Sequence, residues 1–323
     1  MQEIKQELRN KVENTGLHLL FKNTKALPLE SLNYLLKTLM QRCKDSVEDI
    51  NVVLCLELLS SGVLANAQRL SESIWKLVVS HLESMICSST HNWSTERALV
   101  CHMRLCIHHH EQVSELRNSM LNVLTSMSEL PPKKLNRFAA RLIAGLLILL
   151  NSGNALFLIE GSGWNVLMQL LHSFSNIEGA SKTSFELISA VVHHLHNLGD
   201  IELKLYEELI DLIIIQIKKD TSGKAEVGLN LINSLFKRIS KKHAPEVVIY
   251  FWKKRLGIVG KLCQEQDKKF RIKSYNLLQE LILGNITQES QKSCATWKEI
   301  FERVLFPLVI EPFLVTKEAL KNL

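Results

Sequence analysis

The chain has 323 residues, 46% of them hydrophobic and 22% charged, with a formal net charge of +6. That balance excludes an intrinsically disordered chain, which would hold fewer apolar and more charged or Pro/Gly positions. Six Pro and 13 Gly are too few for the many tight turns of a long all-β fold. At roughly 150 residues per domain the length suggests two domains, unless a single array of repeats takes up all of it.

Residues 1–15 are charged throughout and carry no signal-peptide pattern. From Leu27 and Leu29 onward the apolar residues follow a period of 3.6 almost everywhere, the mark of amphipathic helices. Ile74, Leu77, Val78, Leu82, Met85 and Ile86 form one stripe. Pro131-Pro132 suits the first turn of a helix that carries Phe138 to Leu150. Its run Leu142 to Leu150 is nine residues long, short of the about 20 needed to span a bilayer, so it reads as a buried core helix.

The polar, Gly-bearing stretch 173–183 is the one soft seam, expected to be a loop between repeats. Beyond it come the stripes Leu187, Ile188, Val191, Val192, Leu195 and then Leu229, Ile232, Leu235, Phe236, Ile239. Gly257 and Gly260 sit inside an amphipathic segment and suggest a close helix–helix contact. Thr296 to Glu299 has capping-box spacing before Ile300-Phe301. Gly62, Gly153, Gly199 and Gly284 stand where helices are expected to end.

About fourteen helices of roughly 12–20 residues result. Two helices with their turns recur at roughly 40 residues, the spacing of HEAT and armadillo repeats. A helix pair apolar on two sides buries both only by stacking on neighbours. The expectation is therefore all-α: a HEAT/armadillo-like α-solenoid of stacked antiparallel helix pairs, continuous over residues 1–323. A large closed helical domain is the rival.

Catalytic signatures are sparse. No GxSxG, GxxxxGK[ST], GxGxxG or HExxH occurs, and paired carboxylates such as Glu207-Glu208 read as solvated charges. Cys101, His102 and Cys106 with His108, His109 and His110 look metal-like, because residues four apart share a helix face. A structural zinc site needs four ligands, however, and no second pair has recognisable spacing. His193, His194 and His196 diverge around their helix and cannot all face one ion. Seven scattered Cys without a CxxC pair point to reduced, core-packed thiols. Neither metal, cofactor nor intrinsic enzyme activity is expected, and a metal-dependent enzyme centred on Cys101, His102 and Cys106 is the least favoured class.

Charge is distributed unevenly. Between Lys218 and Lys273 there are 15 Lys/Arg against 5 Asp/Glu, a local +10 that leaves −4 for the rest. Lys237, Arg238, Lys241 and Lys242 are expected opposite the stripe of their helix, with Lys253, Lys254, Arg255 and then Lys268-Lys269 on the next two. A stacked array would turn these clusters into a basic ridge for anionic lipid or an acidic protein. Nucleic acid is not expected: apart from Phe251-Trp252 and Phe270, aromatic platforms among the basic residues are missing.

Four blocks resemble a known family. Leu27 to Leu39, Glu96-Arg97-Ala98-Leu99 with Arg104-Leu105, Gly163-Trp164 through Leu170-Leu171, and Trp297, Phe301 and Val304 to Leu308 occur in that order. They resemble the homology-downstream-of-Sec-seven (HDS) regions of large Arf guanine-nucleotide exchange factors, the Golgi brefeldin-A-resistance branch in particular. Residues 1–172 are similar to the first two such regions, and residues 184–323 to the portion C-terminal to those two, including the third. The exchange domain with its glutamate finger has no counterpart here, and neither does the long polar insert of some relatives.

The resemblance implies a non-catalytic regulatory and membrane-recruitment portion, cytoplasmic and peripheral on Golgi or early-secretory membranes. Its implied partners are Arf- and Rab-family GTPases and phosphoinositides or other anionic lipids, with dimerisation left open. From the charge count, the expected lipid contact is Lys237, Arg238, Lys241, Lys242, Lys253, Lys254 and Arg255. The competing class is a generic HEAT/armadillo adaptor that holds a peptide in a groove.

Overall fold

The computed structural model describes residues 23–88, 92–152, 156–159, 161–177, 180–195, 202–219, 224–242, 245–264, 267–286, 298, 301–308 and 310. Among the described residues every regular element is helical and no strand occurs. The chain divides into two compact units, Met1–Leu187 and Ile188–Leu323. In the first unit lie α1 (Leu29–Asp45), α2 (Asp49–Asn66), α3 (Glu72–Ser88), α4 (Asn92–His109), α5 (Ser114–Ser128), α6 (Pro132–Asn151), the single turn α7 (Leu156–Ile159) and α8 (Ser162–Ser175). Helix α9 (Ser181–Leu195) contains the division, and α10 (Leu203–Lys219), α11 (Ala225–Lys242), α12 (Pro245–Leu262) and α13 (Lys268–Ile286) belong to the second unit. The soft seam is shorter than its composition suggests, since α8 runs through Ser175 and α9 starts at Ser181.

Local signals explain several helix limits. Pro131 caps α6 and Pro132 opens it, a position where the missing N–H costs nothing. Glu30 in the first turn of α1 and Arg42 and Lys44 in its last match the helix dipole. Before α8 the chain must reverse out of α7, and Gly161 does so at φ +54 and ψ −128, which residues with a Cβ rarely reach. Two glycines do not behave as helix ends. Gly62 lies inside α2, against a Leu36 methyl carbon that a Cβ would meet at 3.3 Å, and Gly284 lies inside α13. Gly153, Gly199 and the capping-box residues Thr296 and Glu299 fall outside the described residues, while Phe301–Leu305 forms a short π-helix.

Apolar stripes build the cores. All of Leu229, Ile232, Leu235, Phe236 and Ile239 are buried, as are Leu187, Ile188, Val191, Val192 and Leu195. Each such leucine contributes about 2 kcal/mol of transfer free energy. On α3, Ile74, Val78, Leu82 and Ile86 are buried, but Leu77 is exposed because the stripe is narrower than its apolar sequence. The segment Asp49–Arg69 is long and apolar enough to cross a membrane by length and composition. In the fold it is a packed helix, held between α1 and α4 and pinned at its centre by Glu57.

In the first unit most helices pack on a sequence neighbour, on the next helix but one, or on both. Contacts run α1–α3, α3–α5 and α5–α8 in one row and α2–α4 and α4–α6 in another, with α1–α2, α3–α4 and α6–α8 joining the rows. Polar cross-links follow the same rule. Glu57 of α2 pairs with Arg97 and Arg104 of α4, and Glu96 of α4 with Arg141 of α6. Asn122 of α5 donates to Glu83 of α3, and Ser128 donates to Gln169 of α8. At the start, Asn66 Nδ2 donates to Thr24 Oγ1 (2.8 Å) and Arg69 to the carbonyls of Lys25 and Leu27. The sequence separations of 39 between Glu83 and Asn122 and 47 between Glu57 and Arg104 bracket the period read from the apolar pattern.

In the second unit α11 packs on α10, α12 and α13, and α12 packs on α13. Here too polar links join next-but-one helices, α11 to α13 and α10 to α12, at separations of 43 to 48 residues, beside one between the adjacent α10 and α11.

Candidate anionic-surface site

Helix α11 presents its basic residues from a tightly packed rod, so position around the helix decides which are free to act. Lys237 is exposed, but its Nζ sits 2.7 Å from Glu280 Oε1 of α13. Asn233 Nδ2 donates to the other oxygen of Glu280 at 2.9 Å. The Lys237 ammonium and the Asn233 amide together hold the Glu280 carboxyl below the usual carboxylate range. In the first turn of α11, Glu226 pairs with Lys273 of α13.

Arg238 and Arg255 depart from the expected surface role. Arg238 is buried and its Nε donates to Tyr206 Oη of α10 at 2.8 Å. Arg255 is 5% exposed, with Nη2 3.0 Å from Glu207 Oε2 and Nη1 on Asp211. The guanidinium fork satisfies two carboxylates of α10 at once, which is why α12 can bury it. Glu207 is accordingly a packing partner and not a solvated charge. Lys241 is exposed. The side chains of Lys242, Lys253 and Lys254 lie outside the described residues. Of the described basic residues on α11 and α12, Lys237 and Arg255 thus pair with acids of α13 and α10, and Arg238 bonds the Tyr206 hydroxyl.

Sequence reasoning missed those acids. Glu280, Glu226, Glu207 and Asp211 stand 43 to 48 residues from their basic partners. The signal that could have found them is the repeat spacing itself, applied to opposite charges. Three aromatic residues near the basic stretch are internal: Phe236 and Phe251 meet edge-on at 5.5 Å, and Phe270 is buried, while the Trp252 side chain lies outside the described residues. Gly257 makes no close helix contact, since a Cβ there would meet nothing within 4 Å.

The Cys/His cluster on α4 splits between two faces. Cys101 Sγ points to α2, donating to the Leu56 carbonyl at 3.5 Å. His102 Nε2 lies 2.8 Å from Ser119 Oγ of α5, and Cys106 Sγ lies 3.8 Å from His102 Nδ1 while donating to the Leu116 carbonyl. Burial pushes the thiols of Cys101 and Cys106 up and the His102 imidazole down to about 4, so all are neutral at pH 7. Among the described residues no group of three His, Cys, Asp or Glu could hold a metal ion.

No protein-family model, no curated protein and no solved structure matches this chain.

Proposed function

We propose that the chain is a HEAT/armadillo-like α-solenoid serving as the regulatory, membrane-recruiting portion of a Golgi Arf guanine-nucleotide exchange factor. In this reading it docks Arf- and Rab-family GTPases and anionic lipid, peripherally on early-secretory membranes, and exchanges no nucleotide itself. The ordered resemblance of its four blocks to the HDS regions carries the reading. The next-but-one packing and the polar links at 39 to 47 residues support a stacked array of helix pairs, the architecture such docking uses.

The same blocks also have packing roles. Leu32, Leu36 and Leu39 of the first are buried; Arg97 and Arg104 of the second hold Glu57. In the third, Trp164, Leu167, Leu170 and Leu171 are buried, and Gly163 lies so close to the Phe157 carbonyl that no Cβ fits. A test of docking must therefore leave these residues intact. The immobilised chain is expected to retain Arf or Rab proteins loaded with GTP and to release them when loaded with GDP. Retention of a peptide class with no GTPase would replace the reading by that of a peptide-binding adaptor.

A further inference from the structure

Three of the seven cysteines gather on one turn of α2. Cys43 of α1 is buried, and its Sγ lies 3.9 Å from the Val52 carbonyl oxygen of α2. Cys101 of α4 is buried as well, and its Sγ donates to the Leu56 carbonyl at 3.5 Å, one turn further along. Cys55 stands between those two carbonyls in sequence. A helical side chain leans over the turn N-terminal to its own Cα, so the Cys55 sulfur reaches back towards Val52, where the Cys43 sulfur sits. There the Cys43 and Cys55 side chains hydrogen-bond each other. Leu36 meets Gly62 and Cys43 meets Val52, so α1 and α2 run antiparallel and the two thiols face each other across one helix–helix contact.

The two thiols differ in access and in acidity. Cys43 is 3% exposed, whereas Cys55 is half-buried and meets solvent. Burial pushes the Cys43 thiol up to about 12, and the neighbouring Cys55 adds to the effect. Burial raises the Cys55 thiol too, but the hydrogen bond from Cys43 and the Arg42 guanidinium act to lower it. Cys55 therefore ionises before Cys43, and an oxidant reaches Cys43 only through it. An accessible thiol that attacks beside a second thiol that resolves is the arrangement of a redox-responsive pair. In a reducing compartment such a pair stays as two thiols until an oxidant arrives.

We infer that Cys43 and Cys55 are a hydroperoxide-reactive pair that closes reversibly into a disulfide and locks α1 to α2. With hydrogen peroxide, the Cys55 thiolate attacks one oxygen and the O–O bond breaks. One oxygen stays on Cys55 as the sulfenic acid, and the other leaves as hydroxide and takes up a proton to give water. The Cys43 sulfur then displaces the hydroxyl from the Cys55 sulfur, and the Cys43 proton leaves with that hydroxyl as a second water. The two thiols lose two electrons in all, and the peroxide takes them up. A dithiol reductant reverses the bond by exchange. The pair lies in the first unit and acts independently of the proposed docking.

Treating the full chain with hydrogen peroxide, alkylating the remaining thiols and mapping the tryptic peptides tests it. Cleavage after Arg42, Lys44 and Arg69 puts Cys43 and Cys55 on separate peptides, 43–44 and 45–69. These two are expected to be recovered joined, to separate on adding dithiothreitol, and to form while the far-ultraviolet dichroism stays that of the untreated chain. Cys43→Ser is expected to stop at the Cys55 sulfenic acid, which dimedone traps, and Cys55→Ser to leave Cys43 reduced. The bond closes a loop of about a dozen residues, so the unfolding constant of the first unit is expected to fall about a hundredfold on oxidation. Cys43 and Cys55 both still free at a peroxide dose that oxidises the exposed Cys87, or Cys55 joined to Cys101 instead, overturns the pair. A joined pair with an unchanged unfolding constant overturns the lock.

Discussion

Cys43, Cys106 and Cys263 show how thoroughly burial decides side-chain chemistry in this chain. Their thiols are pushed up, Cys43 and Cys263 to about 12, chiefly by desolvation of the thiolate. Cys87 is exposed and Cys55 half-buried. In a Cys294→Ser background, a thiol reagent is expected to modify Cys87 first and Cys55 more slowly. Cys43, Cys101, Cys106 and Cys263 should react only on unfolding, and prompt labelling of Cys106 would contradict the fold. Two histidines carry the pH dependence. Burial holds His81 and His102 down to about 4, with Lys44 adding to the effect at His81, whose ring nitrogens both lack a hydrogen-bond partner. An unfolded histidine binds its proton near 6.5, whereas these do so only near 4 in the fold. Stability is therefore full above about 6.5 and is lost as pH falls towards 4, by roughly 2 kcal/mol per histidine at about pH 5. Urea midpoints at pH 7.5 and 5 should differ accordingly, and His102→Gln should flatten the difference.

At the scale of the helix, glycine positions separate packing from propensity. In α8 a Cβ on Gly163 would stand 2.1 Å from the Phe157 carbonyl oxygen, which is backbone and cannot move aside cheaply. Gly163→Ala is expected to cost at least about 2 kcal/mol. Gly257 occupies the interior of α12 with open space where its Cβ would lie. Gly257→Ala is expected to stabilise the protein by about 1 kcal/mol, because alanine restricts the unfolded chain and favours helix. Thermal melts of the two variants should move in opposite directions. Gly145 is intermediate: its Cβ would meet the flexible thioether of Met103, 2.3 Å from Sδ.

The division into two compact units governs how the whole molecule unfolds. Chains with more than one cooperative unit depart from two-state behaviour. Arg255→Met removes the cation that bridges Glu207 and Asp211 in the second unit and is expected to cost roughly 2 kcal/mol. Denaturant titration should show two transitions, with Arg255→Met lowering one and Gly163→Ala the other. A single transition displaced equally by both variants would mean that the units unfold as one.

The helical class, the core stripes of α9 and α11 and the proline start of α6 were all legible in the sequence, because each follows from local spacing along one helix. Which basic residues face water was not. Arg238 and Arg255 stand beside Lys237 and Lys254 in equally charged runs, yet both are buried against Tyr206, Glu207 and Asp211 of α10. Nothing within α11 or α12 encodes that choice, since it depends on which polar groups a neighbouring helix presents, for Arg255 some 44 residues away. Periodicity along the chain determined that the protein is built of amphipathic helices. Only the tertiary packing decided where its positive charge is neutralised and where it stays exposed, because pairing requires acids distant in sequence to lie within a few ångströms.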